Sequence, residues 1–494
     1  MKLIPATIFG SFKHIAHRKD FLCTSVPNIM PIIFTLKNLL EDHFIPEAKL
    51  MLITLLICLL LLGFFITRRT SRVVYLLDFA CYKPPDAQKI TKQYCIEKLK
   101  HMGNSSEETV QFMKTILGKL GHGDSTYIPE VFLKNDSDPC MKEARREMEM
   151  SVFGSIDMLL AKTGVRCEDI GILVVNCSLY NTMPSLSSMI VNKYKLKENI
   201  ISYNLVGMGC TAGLIAIGLA QNLLQVHHDS YALVMTTEGV TENCYVGDDR
   251  SKLLSNGIFR VGGAAILLSN RPSDHRNCKY KLLHTVHTNI SSSDLSYNCI
   301  FEEEDEAGIR GVTITKDLFK VAPTVIRSNV TVLGKQILPL SEKLRYLKNS
   351  IARKLRPTAN IQPYIPNYSN SVELFLPHSS GKPMLDALQK NLGFDEIAME
   401  PSRMTLYRFG NTSSSSIWYE LAYAEAKGRV KKGYRVWQIA LGSGFKCSSV
   451  VWRAMRTIDY DEMNPWTDEI DGFPVVLDCD CDDGPLPYFS EHSK

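Results

Sequence analysis

The chain has 494 residues, 45% of them hydrophobic, and a formal net charge of +4. That length can bury a large core as two or three domains or as one duplicated domain, and so small and dispersed a charge, with no basic patch interleaved with aromatics, argues against nucleic acid as a partner. The 14 cysteines lie in apolar segments without a repeating spacing, which excludes a secreted disulfide scaffold and places the body in a reducing compartment.

Residues 1–49 are mixed, with a basic cluster from Lys13 to Lys19 and a short apolar patch from Ile29 to Leu36. The patch is too short to span a bilayer but can lie at its surface. Leu50 to Ile66, LMLITLLICLLLLGFFI, carries no charge and is just long enough to cross, so 50–66 is expected to be a transmembrane helix. It starts late and ends in Thr67-Arg68-Arg69 instead of a small-residue cleavage site, which sets aside a signal peptide. Arg68, Arg69 and Arg72 on the C-terminal flank place the body in the cytosol.

From Val73 the pattern is that of a soluble protein. Val73 to Phe79 is expected as a strand, followed by the Pro84-Pro85 breaker and a helix-forming stretch from Ala87 to Leu120. Lys142 to Thr163 has apolar residues at helical spacing, Asp169 to Asn176 has the look of a buried strand, and Pro184-Ser185 starts a helix through Tyr194. Ile200 to Leu205 is a strand, the apolar run after Cys210 a buried helix, and Tyr231 to Thr237 a buried strand. Further on, Ser371 to Leu376 is a strand ending at His378, Lys382 to Asn391 and Ser414 to Lys427 are helices, and Tyr434 to Leu441 is a strand running into Gly442-Ser443-Gly444. Such alternation implies α/β layers in two halves, 73–285 and 286–456, although no residue-level repeat is visible and the duplication rests on the order of elements. After Thr457 the chain is acidic, contains Pro465, Pro474 and Pro485 and has no Lys or Arg until its last residue, so 457–494 is expected to be a peripheral, partly disordered tail. Cys479 and Cys481 there have no histidine partners, so no metal site is expected.

Chemistry gathers at three points. In NLVGMGCTAGLIAIGLAQ, residues 204–221, a strand leads through Gly207 and Gly209 to Cys210 at the first turn of a buried helix, where the helix N-terminus favours thiolate over thiol. Cys210 is therefore a candidate nucleophile, with a small core residue as the plain alternative. His378 follows a strand, and Asn411 stands in RFGNTSSSS before a helix; a cysteine with a histidine and an asparagine from distant parts of the chain is a workable nucleophilic set. Taken singly, His378 is a satisfied polar residue and Asn411 a turn or N-cap. Gly442-Ser443-Gly444 is either a strand-to-strand turn or a loop whose N–H groups approach an oxyanion. Arg260-Val-Gly-Gly-Ala-Ala265 lacks the phosphate-loop pattern, and its glycines are taken as close packing.

NLVGMGCTAG, ILVVNCSLYNTMPSLSSMIVNKYKL, SNGIFRVGGAAILLSN, VYLLDFACYKPP and above all EPSRMTLYRFGNTSSSSIWYELAYAEAKGRVKKGYRVWQIALGSGFKCSSVVWRA resemble the plant 3-ketoacyl-CoA synthases, membrane-bound condensing enzymes of very-long-chain fatty acid elongation. The resemblance runs from about Val73 to Asn464-Pro465-Trp466. It implies a thiolase-like fold, a duplicated αβαβα core with a mixed five-stranded sheet in each half, often as a homodimer. By the same resemblance Cys210 accepts the acyl group, His378 and Asn411 complete the triad, and Gly442 to Gly444 lie near the acyl oxyanion. The implied reaction joins a long-chain acyl-CoA to malonyl-CoA with loss of carbon dioxide, needs no metal or redox cofactor, and takes place at the endoplasmic reticulum membrane beside other elongase enzymes. The family's HAGG is His378-Ser379-Ser380-Gly381 here, and histidines of some members correspond to Asn289, Leu374 and Tyr407. Two alternatives remain at this point: a polyketide synthase of the chalcone synthase type, and a non-catalytic membrane-anchored partner in an elongase complex.

Overall fold

A computed structural model of the chain describes residues 51, 54–59, 72–102, 106–134, 139–356, 361–362 and 364–477. The chain divides into two compact units, Met1–Ser71 and Arg72–Lys494. In the first, residues 51 and 54–59 are helical with exposed side chains. Segment 1–49 and the rest of the expected span 50–66 lie outside the described residues, as do Cys479 and Cys481.

Nine strands carry the second unit: β1 (Tyr75–Cys81), β2 (Ile170–Asn176), β3 (Ile201–Leu205), β4 (Tyr231–Thr237), β5 (Gly263–Ser269), β6 (Tyr280–Asn289), β7 (Leu374–Pro377), β8 (Arg435–Gly442) and β9 (Lys446–Ala454). They form one sheet in the order β7-β8-β9-β6-β1-β5-β4-β2-β3. Outward from the central β1–β6 pair the two halves repeat. β1 is antiparallel to β5, β5 to β4, and β4 is parallel to β2; β6 is antiparallel to β9, β9 to β8, and β8 is parallel to β7. The duplication that the order of elements suggested is thus present in the strand pairing. Two details differ from expectation. The two halves share one continuous sheet, β1 pairing with β6 at Tyr75–Lys281 and Leu76–Tyr280, and among the described residues the second half has no counterpart of β3. Because β6 begins at Tyr280, a boundary at 285/286 would cut a strand.

Continuous apolar strands arise because both faces are covered, so that alternate residues enter different cores. Ile172 and Val174 of β2 join one cluster, Leu173 and Val175 another. On the other half Val436 and Ala440 of β8 join the first cluster, while Trp437 and Ile439 face a third. The first cluster also receives α5 (Ala212–Val226) and α11 (Ser416–Ala426), one helix from each half. The segment Gly209–Val226 is apolar enough to pass for a membrane span, yet it serves as this core helix. The stretch 87–120 forms two helices, α1 (Lys92–Met102) and α2 (Glu107–Lys119), the second capped by Ser106. The other helices of more than one turn among the described residues are α3 (Met141–Thr163), α4 (Leu186–Tyr194), α6 (Arg250–Ile258), α7 (Leu318–Ile337), α8 (Leu340–Leu355), α9 (Lys382–Leu392) and α10 (Glu396–Phe409).

The first part of the expected tail is structural. Trp466 is fully buried, edge-on to Phe409 and Tyr423, and its indole N–H donates to the Tyr419 carbonyl at 2.9 Å. Asp461 pairs with Lys162 at 2.6 Å, and Glu469 with Arg408 at 2.9 Å. The acidic composition suggested disorder; in the fold these carboxylates neutralise cations that the domain buries, which unpaired would be costly. Lys279, at the β1–β6 junction, is held the same way by Asp78 and Glu425, each at 2.8 Å.

Candidate active site

Equivalent turns of the two halves meet where the parallel strands end. β2 ends at Asn176 and β7 at Pro377, immediately before His378. A short turn, Gly209–Thr211, precedes α5, and its counterpart Ser413–Ser415 precedes α11. Strand ends and helix starts are where open α/β sheets bind ligands. Asn176 joins the halves, its amide donating to Thr236 Oγ1 at 3.1 Å and to Ser414 Oγ at 2.8 Å.

Cys210 sits in the first turn, one step before α5 proper. Its backbone is pressed against the 442–444 loop, the turn between β8 and β9. A Cβ on Gly209 would stand 2.5 Å from Ser443 N, and one on Gly442 would stand 2.8 Å from Thr211 N, so only glycines allow this approach. The loop is therefore a strand-to-strand turn and also a backbone surface laid on the cysteine turn. The Gly262–Gly263 pair is close packing, since a Cβ on Gly262 would stand 2.6 Å from Thr412.

The three candidate residues converge on a fourth, Ser413. His378 Nε2–H donates to the Ser413 carbonyl at 2.8 Å, Asn411 Oδ1 accepts from Ser413 N–H at 2.8 Å, and Ser413 Oγ lies 3.6 Å from Cys210 Sγ. Ser413 Oγ is also 3.0 Å from Glu238 Oε2. A serine hydroxyl has one proton, so when it points to Glu238 the thiol can donate to Ser413. Glu238 is buried at the end of β4, where its other oxygen accepts from Cys177 Sγ at 3.2 Å and from the N–H groups of Ser178 and Leu179 at 3.0 and 2.8 Å.

Electrostatics set the resting protonation. Burial pushes the Cys210 thiol up to about 12, with the Ser413 hydrogen bond working against it and Glu238 adding to it. Against the thiolate expected from the helix N-terminus, burial favours the neutral thiol, which then needs a proton acceptor. Burial also pulls His378 down to about 4, so it is neutral at physiological pH, with Nε2 protonated and Nδ1 bare. It is a donor as it stands. Glu238 is raised by burial despite its hydrogen bonds.

Cys210, His378, Asn411 and the glycine loop were singled out in the sequence; Ser413 and Glu238 were not. Ser413 is one of four consecutive serines with nothing in their spacing to separate them. Glu238 had a faint signal, a carboxylate following an uncharged strand.

Residues 65–355 match the family described as FAE1/Type III polyketide synthase-like protein, and residues 368–454 the 3-Oxoacyl-[acyl-carrier-protein (ACP)] synthase III C terminal family. Among relatives, 3-ketoacyl-CoA synthase 2 of Arabidopsis thaliana is 52% identical over 89% of this chain and 84% of its own length. 3-Ketoacyl-CoA synthase 11 of the same plant is 53% identical over 86% of this chain and 84% of its own. Probable 3-ketoacyl-CoA synthase 20 of Oryza sativa subsp. japonica is 47% identical over 82% and 78%. Among solved structures, the C-terminal type III polyketide synthase domain of Steely1 from Dictyostelium superposes with a TM-score of 0.60 at 17% identity, covering 78% of this chain and 99% of that one. The tetrahydroxynaphthalene synthase of Streptomyces coelicolor gives 0.59 at 18% identity, over 77% and 99%. At that identity these two establish the fold, thiolase-like with a mixed sheet.

Proposed function

The chain belongs to the 3-ketoacyl-CoA synthases, the condensing enzymes of very-long-chain fatty acid elongation, and from that premise we propose that Cys210, His378 and Asn411 divide the condensation between them with Ser413 and Glu238 in support. The observation that carries this reading is Ser413: its carbonyl, N–H and hydroxyl each meet a different member of the set.

In the first half-reaction Cys210 Sγ attacks the acyl-CoA carbonyl carbon. The thiol proton passes to Ser413 Oγ as the Ser413 proton passes to Glu238; the C–S bond to CoA breaks, and the departing CoA thiolate takes up a proton from solvent. The 442–444 loop, laid on the cysteine turn, offers Ser443 N–H where the oxyanion forms. In the second, malonyl-CoA loses carbon dioxide and the electron pair of the broken C–C bond passes into a thioester enolate. Neutral His378 donates Nε2–H to its oxygen, exchanging the Ser413 carbonyl for it. Asn411 adds its amide, whose partner in the free site, the Ser380 carbonyl, is distant at 3.5 Å. The enolate carbon attacks the acyl-cysteine, the Cys–acyl bond breaks, the freed Cys210 sulfur recovers its proton from Glu238 through Ser413, and a 3-ketoacyl-CoA two carbons longer leaves. No step calls on a metal or redox cofactor. An apolar cavity between α1, α2 and the β4 end, lined by Leu99, Met113, Leu117, Phe132 and Leu179, reaches Gly239, the residue after Glu238, and suits the acyl chain. We further read the enzyme as a homodimer of the endoplasmic reticulum membrane, body to the cytosol and beside other elongase enzymes; the uncharged run before Arg68 and Arg69 supports the placement.

Purified full-length protein should release carbon dioxide from malonyl-CoA in proportion to added long-chain acyl-CoA and form the 3-ketoacyl-CoA. Acyl-independent release without a condensed product would contradict the assignment. Glu238→Gln keeps the shape but presents an amide donor to Ser413, so Ser413 can no longer pass a proton on. Single-turnover acylation should fall about 100-fold or more. In the parent, acylation should rise with pH as Glu238 loses its proton, above the usual carboxylate range because its pKa is raised. In Glu238→Gln the rise should move toward the alkaline thiol. An unchanged rate and profile would remove Glu238 from the mechanism.

A further inference from the structure

Helix α8 carries its polarity inverted. Glu342 is the buried residue of its 16, accepting from the Tyr364 hydroxyl at 2.6 Å and from Asn367 N–H at 3.0 Å. On the same side Asn349 donates to the Gln362 carbonyl at 3.1 Å and accepts from Tyr364 N–H at 3.0 Å. The opposite side is a stripe at helical spacing, Leu340, Leu344, Leu347, Ile351 and Leu355, exposed by 71, 55, 53, 47 and 77%. A surface helix of a water-soluble domain turns its apolar stripe to the core and its polar side out; this helix does the reverse.

Charge narrows the occupant. At 100° per residue Lys343 and Lys354 flank one edge of the stripe and Lys348 the other. Lys335, Arg345, Arg353 and Arg356 add to them, against the single carboxylate of Glu342 in residues 335–356. A second copy of the chain would bring the same cations against these, and the uncharged run 50–66 could cover the stripe but not the lysines. An anionic lipid surface satisfies both features at once, acyl chains taking the stripe and headgroups the cations. We propose that α8 lies in the headgroup boundary of an anionic bilayer, its leucine and isoleucine stripe inserted and Lys343, Lys348 and Lys354 on the lipid phosphates. This is independent of the assignment of the catalytic residues, and it adds a second membrane attachment, on the condensing body itself.

The test uses the full chain with the photoreactive residue p-benzoylphenylalanine at Leu347, at Ile351 or, as the opposite-face control, at Arg353. Each protein is reconstituted in nanodiscs of phosphatidylcholine with about 30% phosphatidylserine, a composition of anionic-leaflet type, and adducts are identified by mass spectrometry. Retained condensing activity shows that each variant is folded. Lipid adducts at Leu347 and Ile351 should exceed those at Arg353 by at least about fivefold, and should fall severalfold in phosphatidylcholine alone or with Lys343→Gln, Lys348→Gln and Lys354→Gln combined. Adducts to peptides of residues 1–71, to a second copy, or to no partner would overturn the proposal, as would lipid labelling indifferent to lipid charge.

Discussion

Cys210→Ala protein, given radiolabelled acyl-CoA, is expected to retain no label on the polypeptide and to form no 3-ketoacyl-CoA. The substitution removes the sulfur and little else: Ser413 keeps its contacts to His378, Asn411 and Glu238, and Gly209 still packs on the 442–444 loop. The enolate donors therefore survive, and slow release of carbon dioxide from malonyl-CoA should persist. That separation distinguishes a lost nucleophile from a collapsed site, because unfolding would end both half-reactions together. Stoichiometric acyl label on the Cys210→Ala chain would move the acyl acceptor to another residue and with it the whole assignment.

Asn411→Asp is expected to slow decarboxylation and condensation by about 100 to 1,000-fold, the scale of losing one preorganised donor, while leaving Cys210 acylation largely intact. Asn411 serves two ends of one side chain. Its Oδ1 accepts Ser413 N–H at 2.8 Å, a local turn contact that a carboxylate makes as well. Its Nδ2 makes only the 3.5 Å contact to Ser380, and that is the end aspartate abolishes, setting a like charge where the enolate forms. If Asn411 held the turn and nothing more, the aspartate enzyme would be folded and fully active, and that result would end its catalytic role. Kinetics with separate measurement of acylation and carbon dioxide release, alongside the melting temperature, decide between the two.

The elements that determine the fold class were legible because they depend on short-range patterning. Asp169 to Asn176 and Tyr231 to Thr237 are apolar at successive positions, which a strand can be only when both faces are covered, and both are strands with alternate residues in two cores. The run after Cys210 is bare of charge because α5 lies inside. Cys210, His378 and Asn411 could be named as candidates because each follows a local signal: glycines before a cysteine, a histidine ending a strand, an asparagine before a serine run. What the sequence did not carry was everything decided by contact between distant segments. Ser413 differs from its neighbouring serines in what the fold places against it, Cys210 and Glu238 from the first half and His378 from a distant strand end of the second; Glu238 matters because β4 ends beside a turn 175 residues further along. Trp466 belongs to the core and Asp461 pairs with the buried Lys162, although their composition suggests a tail, since docking depends on partners buried elsewhere. The ionisation of Cys210 differs for the same reason: the favourable helix end is a property of the local chain, whereas the burial that raises the thiol exists only in the folded protein.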